Sequence, residues 1–208
     1  MPINPALLTT SIGALADLDP EPDLPASLQR AVAAAKQLLD ADAAGITLTD
    51  ATGMLHWASG SDQRAQAVEN DREACAAGPC AEAFTTGRPA VMYDAYQERR
   101  RGGPWGEVSL TIADLEARSA LSVPIDLGHG PIGTLDIYVT NPRGWDHTDV
   151  CALQAYAGVV AGLLGAAAKA HIGGGLTDQL QVALDSRCSS MLRRADGRGS
   201  PWRTATER

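Results

Sequence analysis

At 208 residues, with 45% hydrophobic and 20% charged side chains, the chain holds one domain of ordinary size plus a short appendage, which excludes a disordered polypeptide and leaves little room for two full domains. Residues 1–186 carry 11 basic against 23 acidic side chains, whereas residues 187–208 carry six arginines against Asp196 and Glu207, so the body repels nucleic acid and only the tail attracts it. Cys75, Cys80, Cys151 and Cys188 form no CxxC pair and no cation precedes Arg30, which argues against a disulfide framework, a zinc site or a secretory leader and for a cytoplasmic setting.

Residues 1–24 read as an N-terminal extension, in which Leu7 to Leu18 is too short and interrupted for a targeting segment. A helix is predicted over about 26–40, with Ser27 as N-cap and Leu28, Val32, Ala35 and Leu39 on one face. Alternation then predicts a hairpin, "AGITLTD" and "GMLHWAS", turning at Asp50 to Gly53. Helix follows from Ser61, breaks at Gly78-Pro79 and resumes briefly to Gly87; "RPAVMYD" is a strand. Residues 95–118, centred on "ERRRGGPW", read as a long loop with a short helix near Thr111 to Glu116.

The strands "ALSVPIDL" and "PIGTLDIYVT" flank the tight turn "GHG". A long helix follows, with Asp146 or Thr148 as cap and Val150, Leu153, Ala157, Val160 and Leu164 on one face. Val150 to Ala168 approaches the roughly 20 residues that span a bilayer. Ala and Gly dominate it, so it reads as a buried or pairing helix and no membrane partner is expected. The order of elements predicts α+β architecture: an antiparallel sheet with helices mainly on one face.

"GPCAEAFTTGRPAVMYD", the loop with Trp105, "ARSALSVPIDLGHGPIGTLDIYV" and "WDHTDVCALQAYAG" follow one another in the order of GAF domains, and the chain resembles that family over about residues 25–170. The string Gly78-Pro79-Cys80, Gly87, Pro89, Ser119 to Pro124, Gly133 and Tyr138 is especially similar to GAF domains of actinobacterial regulators. The resemblance implies a sensory module with a small-molecule pocket on one side of the sheet and terminal helices on the other that pair two subunits. It implies binding rather than catalysis, so the chain is expected not to be an enzyme.

Cys80, Phe84, Tyr93, Trp105, Ser119, Leu121, Asp136 and Tyr138 are the expected ligand-binding residues. Alternation sets Thr134, Asp136 and Tyr138 opposite Leu135, Ile137 and Val139, so an aliphatic face against the terminal helices would turn the polar face to the pocket. The cyclic-nucleotide signature of some GAF domains is broken at Pro142, Trp145 and Val150. His129 and His147 have no second ligand at metal spacing, so no metal is expected, and the sequence names no cofactor.

In many such regulators an RNA-binding ANTAR domain follows, and "LQVALDSR" at residues 180–187 resembles its opening. After Arg187 the helical pattern stops, and Gly197, Gly199 and Pro201 oppose helix. The expectation is a sensor derived from a transcription antitermination regulator, with residues 171–187 a linker and the start of an ANTAR-like helix and residues 188–208 a disordered basic tail, the ANTAR domain being truncated or frameshifted. RNA is a partner only if an intact ANTAR domain exists. The alternatives are an RNA-binding antiterminator and a thiol-dependent methionine sulfoxide reductase using Cys80 and Cys75.

Overall fold

The computed structural model describes residues 5–16, 24–50, 52–63, 65, 77–106, 109, 112–113 and 116–170. Five strands, β1 (Ala43–Thr49), β2 (Leu55–Gly60), β3 (Ala90–Met92), β4 (Ser119–Asp126) and β5 (Pro131–Val139), form one sheet in the order β2-β1-β5-β4-β3. Every neighbouring pair is antiparallel. Helices α1 (Pro5–Ala16), α2 (Leu24–Leu38) and α5 (His147–Ala170) gather on one face, while the short α3 (Pro79–Thr86) and α4 (Ala95–Arg101) belong to the layer over the other. This is the α+β arrangement that the order of elements predicts.

Alternation along the two long strands builds both layers. Leu121, Val123, Ile125, Leu135, Ile137 and Val139 join Ala44, Ile46 and Leu48 beneath Leu28, Val32, Ala35 and Leu39 of the α2 segment and Leu153, Tyr156, Val160 and Leu164 of α5. Ala120 and Tyr138 point the other way, against Ala83, Met92, Ala95 and Trp105. Helix α5 is long and apolar enough to cross a membrane by length and composition, but its large side chains are spent on the sheet.

The ends of the elements explain the boundaries. Asp146 and Asp149 close a reciprocal capping box at the start of α5: the Asp149 N–H donates to Asp146 Oδ1 at 2.9 Å and the Asp146 N–H to Asp149 Oδ2 at 3.1 Å. The backbone N–H of Asp149, more than any other contact, holds the Asp146 carboxyl below its usual range. Between β4 and β5, Gly128 (φ 96°) and Gly130 (φ 113°) adopt backbone that other residues avoid, and both donate to Asp126 Oδ1, at 2.6 and 3.1 Å.

Three expectations change. Ser27 is not an N-cap but lies inside α2, buried, accepting from Arg30 Nη2 at 3.1 Å, because the helix already begins at Leu24. Residues 95–101 are helix rather than loop: Asp94 caps α4 by accepting from the Tyr96 N–H, and Gly102 ends it in the left-handed region. Only Ala95 of α4 is buried, so the sequence offers no apolar period there. Within the segment read as an extension, α1 packs on α2 and α5, and the hydroxyls of Ser11 and Tyr156 hydrogen-bond. The helix expected from Ser61 lies mostly outside the described residues, as do Cys75, Cys188 and everything after Ala170.

Gly133 is the tightest point of the sheet, since a Cβ there would stand 2.1 Å from the backbone oxygen of Thr47 on β1. Backbone oxygen cannot swing aside as a side chain can. Gly133→Ala is therefore expected to lower stability by about 3 kcal/mol or more, at the upper end of overpacking costs, read as a fall in the denaturant midpoint.

Candidate functional site

The inner face of the sheet, away from the terminal helices, carries a row of buried polar side chains. Thr47 on β1, Thr134 and Asp136 on β5 and Ser122 on β4 are each at most 1% exposed. The register explains their meeting: Thr47 pairs with Thr134, and Asp136 lies between Gly45 and Ser122. Thr134 Oγ1 donates to Asp136 Oδ2 at 2.7 Å, and its one proton is thereby used. The 2.7 Å contact between Thr47 and Thr134 must then have Thr47 as donor. The chain runs Thr47 to Thr134 to Asp136, every hydroxyl oriented toward the carboxylate.

Ser122 Oγ is buried and has no hydrogen-bond partner among the described residues. Burying a hydroxyl unpaired costs on the order of 1–3 kcal/mol, so a ligand donor or acceptor at that place removes a penalty already present in the fold. Pro79, Cys80 and Ala83 are the buried residues of α3, the last two one helical turn apart, with Phe84 half-buried beside them; the helix lies over β4 and β5.

Of the residues singled out in the sequence, the structure brings Cys80, Phe84, Trp105, Asp136 and Tyr138 into this inner layer. Trp105 also lines an open cleft of about 440 Å3, with Ala77, Arg99 and Pro104 on its walls. Leu121 and Ser119 are placed elsewhere. Leu121 pairs with Ile137 and packs under the terminal helices. Ser119, two residues earlier, shares that side by alternation. Its hydroxyl donates to the Met92 carbonyl at 2.8 Å, lies 3.3 Å from the Arg143 carbonyl and accepts from Trp145 Nε1 at 2.8 Å. Tyr93, 57% exposed, falls on the opposite parity from the inward-facing Ala90 and Met92. Ser122 and Thr47 were not singled out; "ITLT" and "ALSVP" alternate legibly, but the pairing that sets them beside Asp136 and Thr134 is not written in either segment.

A second polar cluster lies on the outer side of α4. Arg118 Nη2 donates to Asp94 Oδ1 at 2.7 Å, and its guanidinium stacks 4.6 Å from the Tyr96 ring centroid. Burial works to raise the Asp94 carboxyl, but Arg118 and the Tyr96 N–H outweigh it and hold the group below its usual range. Asp94, Tyr96, Gln97, Arg100, Arg101 and Arg118 line a cleft of about 670 Å3.

A family model described as a GAF domain matches residues 21–164. The chain belongs to the GAF domain family. No curated protein matches the sequence. Among solved structures, the free methionine-R-sulfoxide reductase of Neisseria meningitidis, in complex with its substrate, is 22% identical with a TM-score of 0.61, over 79% of this chain and 89% of that one. The GAF domain of an Acinetobacter phosphoenolpyruvate-protein phosphotransferase is 15% identical with a TM-score of 0.61, over 81% and 95%. A far-red-absorbing dark-state protein with bound biliverdin is 15% identical with a TM-score of 0.58, over 77% and 98%. At these identities the likeness is one of fold.

The meningococcal structure corrects one expectation. The GAF resemblance implies that the chain is not an enzyme, yet the same fold is that of a reductase with its substrate bound, so the GAF fold does not exclude catalysis.

The hydroxyl of Ser119 serves a buried indole N–H and a strand carbonyl at once. Ser119→Ala is expected to cost about 1–3 kcal/mol, the penalty for a buried donor left without an acceptor, read as a lower melting temperature, with little change in ligand affinity.

Proposed function

We propose that this GAF domain is a sensor module that takes a small polar molecule on the inner face of its sheet, with Asp136 and Ser122 as the polar contacts and Cys80, Phe84, Trp105 and Tyr138 as walls. The observation that carries the reading is the buried hydroxyl of Ser122, without a hydrogen-bond partner among the described residues, opposite Asp136 in the register. A protein of this fold that holds biliverdin supports a ligand in a GAF domain, though not its identity here.

The wider reading places the module in a cytoplasmic regulator derived from an antitermination protein of actinobacterial type. Its support is the "LQVALDSR" stretch, which lies outside the described residues. A homodimer through the terminal helices α2 and α5 belongs to the same reading: Gly158 and Gly162 are exposed on α5 with open space where a side chain would stand, which permits a close partner helix. RNA enters only with an intact ANTAR domain.

The test is a thermal-shift screen of the purified chain against a metabolite panel, followed by titration of any stabilising compound. Removing a buried hydroxyl that has no partner among the described residues relieves its desolvation penalty, so ligand-free Ser122→Ala is expected to be as stable as wild type or more stable by up to about 1–3 kcal/mol, while binding the compound about tenfold more weakly. Unchanged affinity in Ser122→Ala and in Asp136→Asn would sink the assignment.

A second reading, thiol-dependent reduction of free methionine sulfoxide, is favoured by the meningococcal fold and the burial of Cys80 in the inner layer. Turnover of methionine sulfoxide with a dithiol reductant, abolished by Cys80→Ser, is its signature; absence of turnover removes it.

A further inference from the structure

The outer cleft beside α4 has a composition that neither the fold nor the inner-face site explains. The helix places Tyr96 with Arg100 and Gln97 with Arg101, each pair one turn apart, so two aromatic or polar side chains and two arginines share one face. Arg118, at the start of β4, and Asp94 complete the lining. Asp94 and Arg118 neutralise each other at 2.7 Å. No carboxylate pairs with Arg100 or Arg101 among the described residues, so the cleft holds an excess of two positive charges in a chain whose formal net charge is −8.

Arginines in a last turn complement the negative end of a helix. That effect does not select a face, and Arg99 already occupies the same turn. Stacking on Tyr96 and the ion pair to Asp94 fix the Arg118 guanidinium from its face and one edge, which is the pre-organisation that planar oxyanion recognition uses. The cleft, about 670 Å3, is of the size that small-molecule sites have.

We propose that this cleft binds a small phosphate monoester, its phosphate held by Arg100 and Arg101 opposite Arg118, at a site separate from the inner face of the sheet. Charge selects the class: a phosphate monoester carries about −1.5 to −2 at neutral pH and matches the excess of two, whereas a single carboxylate leaves half of it unanswered.

The test titrates the full chain with phenyl phosphate and with inorganic phosphate, using acetate at equal ionic strength as the control, and follows heat of binding and melting temperature. Saturable binding of one phenyl phosphate per chain is expected, with inorganic phosphate binding no more tightly and acetate not binding. The Arg100→Ala, Arg101→Ala double variant changes two exposed side chains, so its circular dichroism and ligand-free melting should match wild type, while its phenyl phosphate affinity falls about tenfold or more. Absence of saturation, equal response to acetate, or undiminished affinity in the double variant overturns the proposal. Loss of phenyl phosphate binding in Ser122→Ala overturns it too, by assigning the phosphate to the inner face.

Discussion

Everything in this domain depends on the two-sided use of β4 and β5. Their residues alternate between a helix-covered core of Leu, Ile and Val and an inner layer where Thr134, Asp136 and Ser122 sit beside Ala120 and Tyr138. A slip of one residue between these strands would bring the carboxylate of Asp136 under α5 and push isoleucine and leucine toward the inner layer, exchanging both environments at once. The turn at Gly128 and Gly130, tied through Asp126, holds that register in place, while the absence of a side chain at Gly133 lets β1 approach β5 on the other side.

A polar row inside a sheet is tolerated because it is ordered. Thr47 and Thr134 spend their protons in sequence toward Asp136, leaving the carboxylate as the sink of a short hydrogen-bond chain. Ser122, on the other side of Asp136, is the one hydroxyl of this row that makes no hydrogen bond among the described residues. The asymmetry gives the inner face a direction: its saturated end lies toward β1 and its unsaturated end toward β4 and α3.

Periodicity makes the two layers readable in the sequence: the apolar faces of α2 and α5, both hairpins and the parity of Thr134, Asp136 and Tyr138 follow from spacing alone. Helix α4 escaped because it buries almost nothing, and its existence rests on Asp94 and Gly102 at its ends. Site residues were legible where parity decides, as for Asp136 and Tyr138. They were not legible where pairing decides: Ser119 and Leu121 share a strand with Ser122, and only the register shows that Ser122 meets Asp136 while Leu121 meets Ile137. The stacked Arg118 was equally invisible, since its partners Asp94 and Tyr96 lie more than twenty residues earlier.

Arg143 binds the carbonyls of Leu39 and Asp40, where α2 ends, at 2.6 and 3.2 Å, and the carboxylate of Asp149, where α5 begins, at 3.2 Å. It also stacks on Trp145, whose indole reaches Ser119 at the first residue of β4. The start of β4, the end of α2 and the start of α5 are thus joined at one small clamp, and α5 leaves it as a rod of 24 residues, about 36 Å at 1.5 Å per residue. The core grips that rod well beyond the clamp, through Leu153, Tyr156, Val160 and Leu164, so sheet and helix are held together as one body. A rotation of the sheet at β4 is thereby carried along all 24 residues of α5 to Ala170, and the length of the helix, not a hinge, sets how far that rotation reaches.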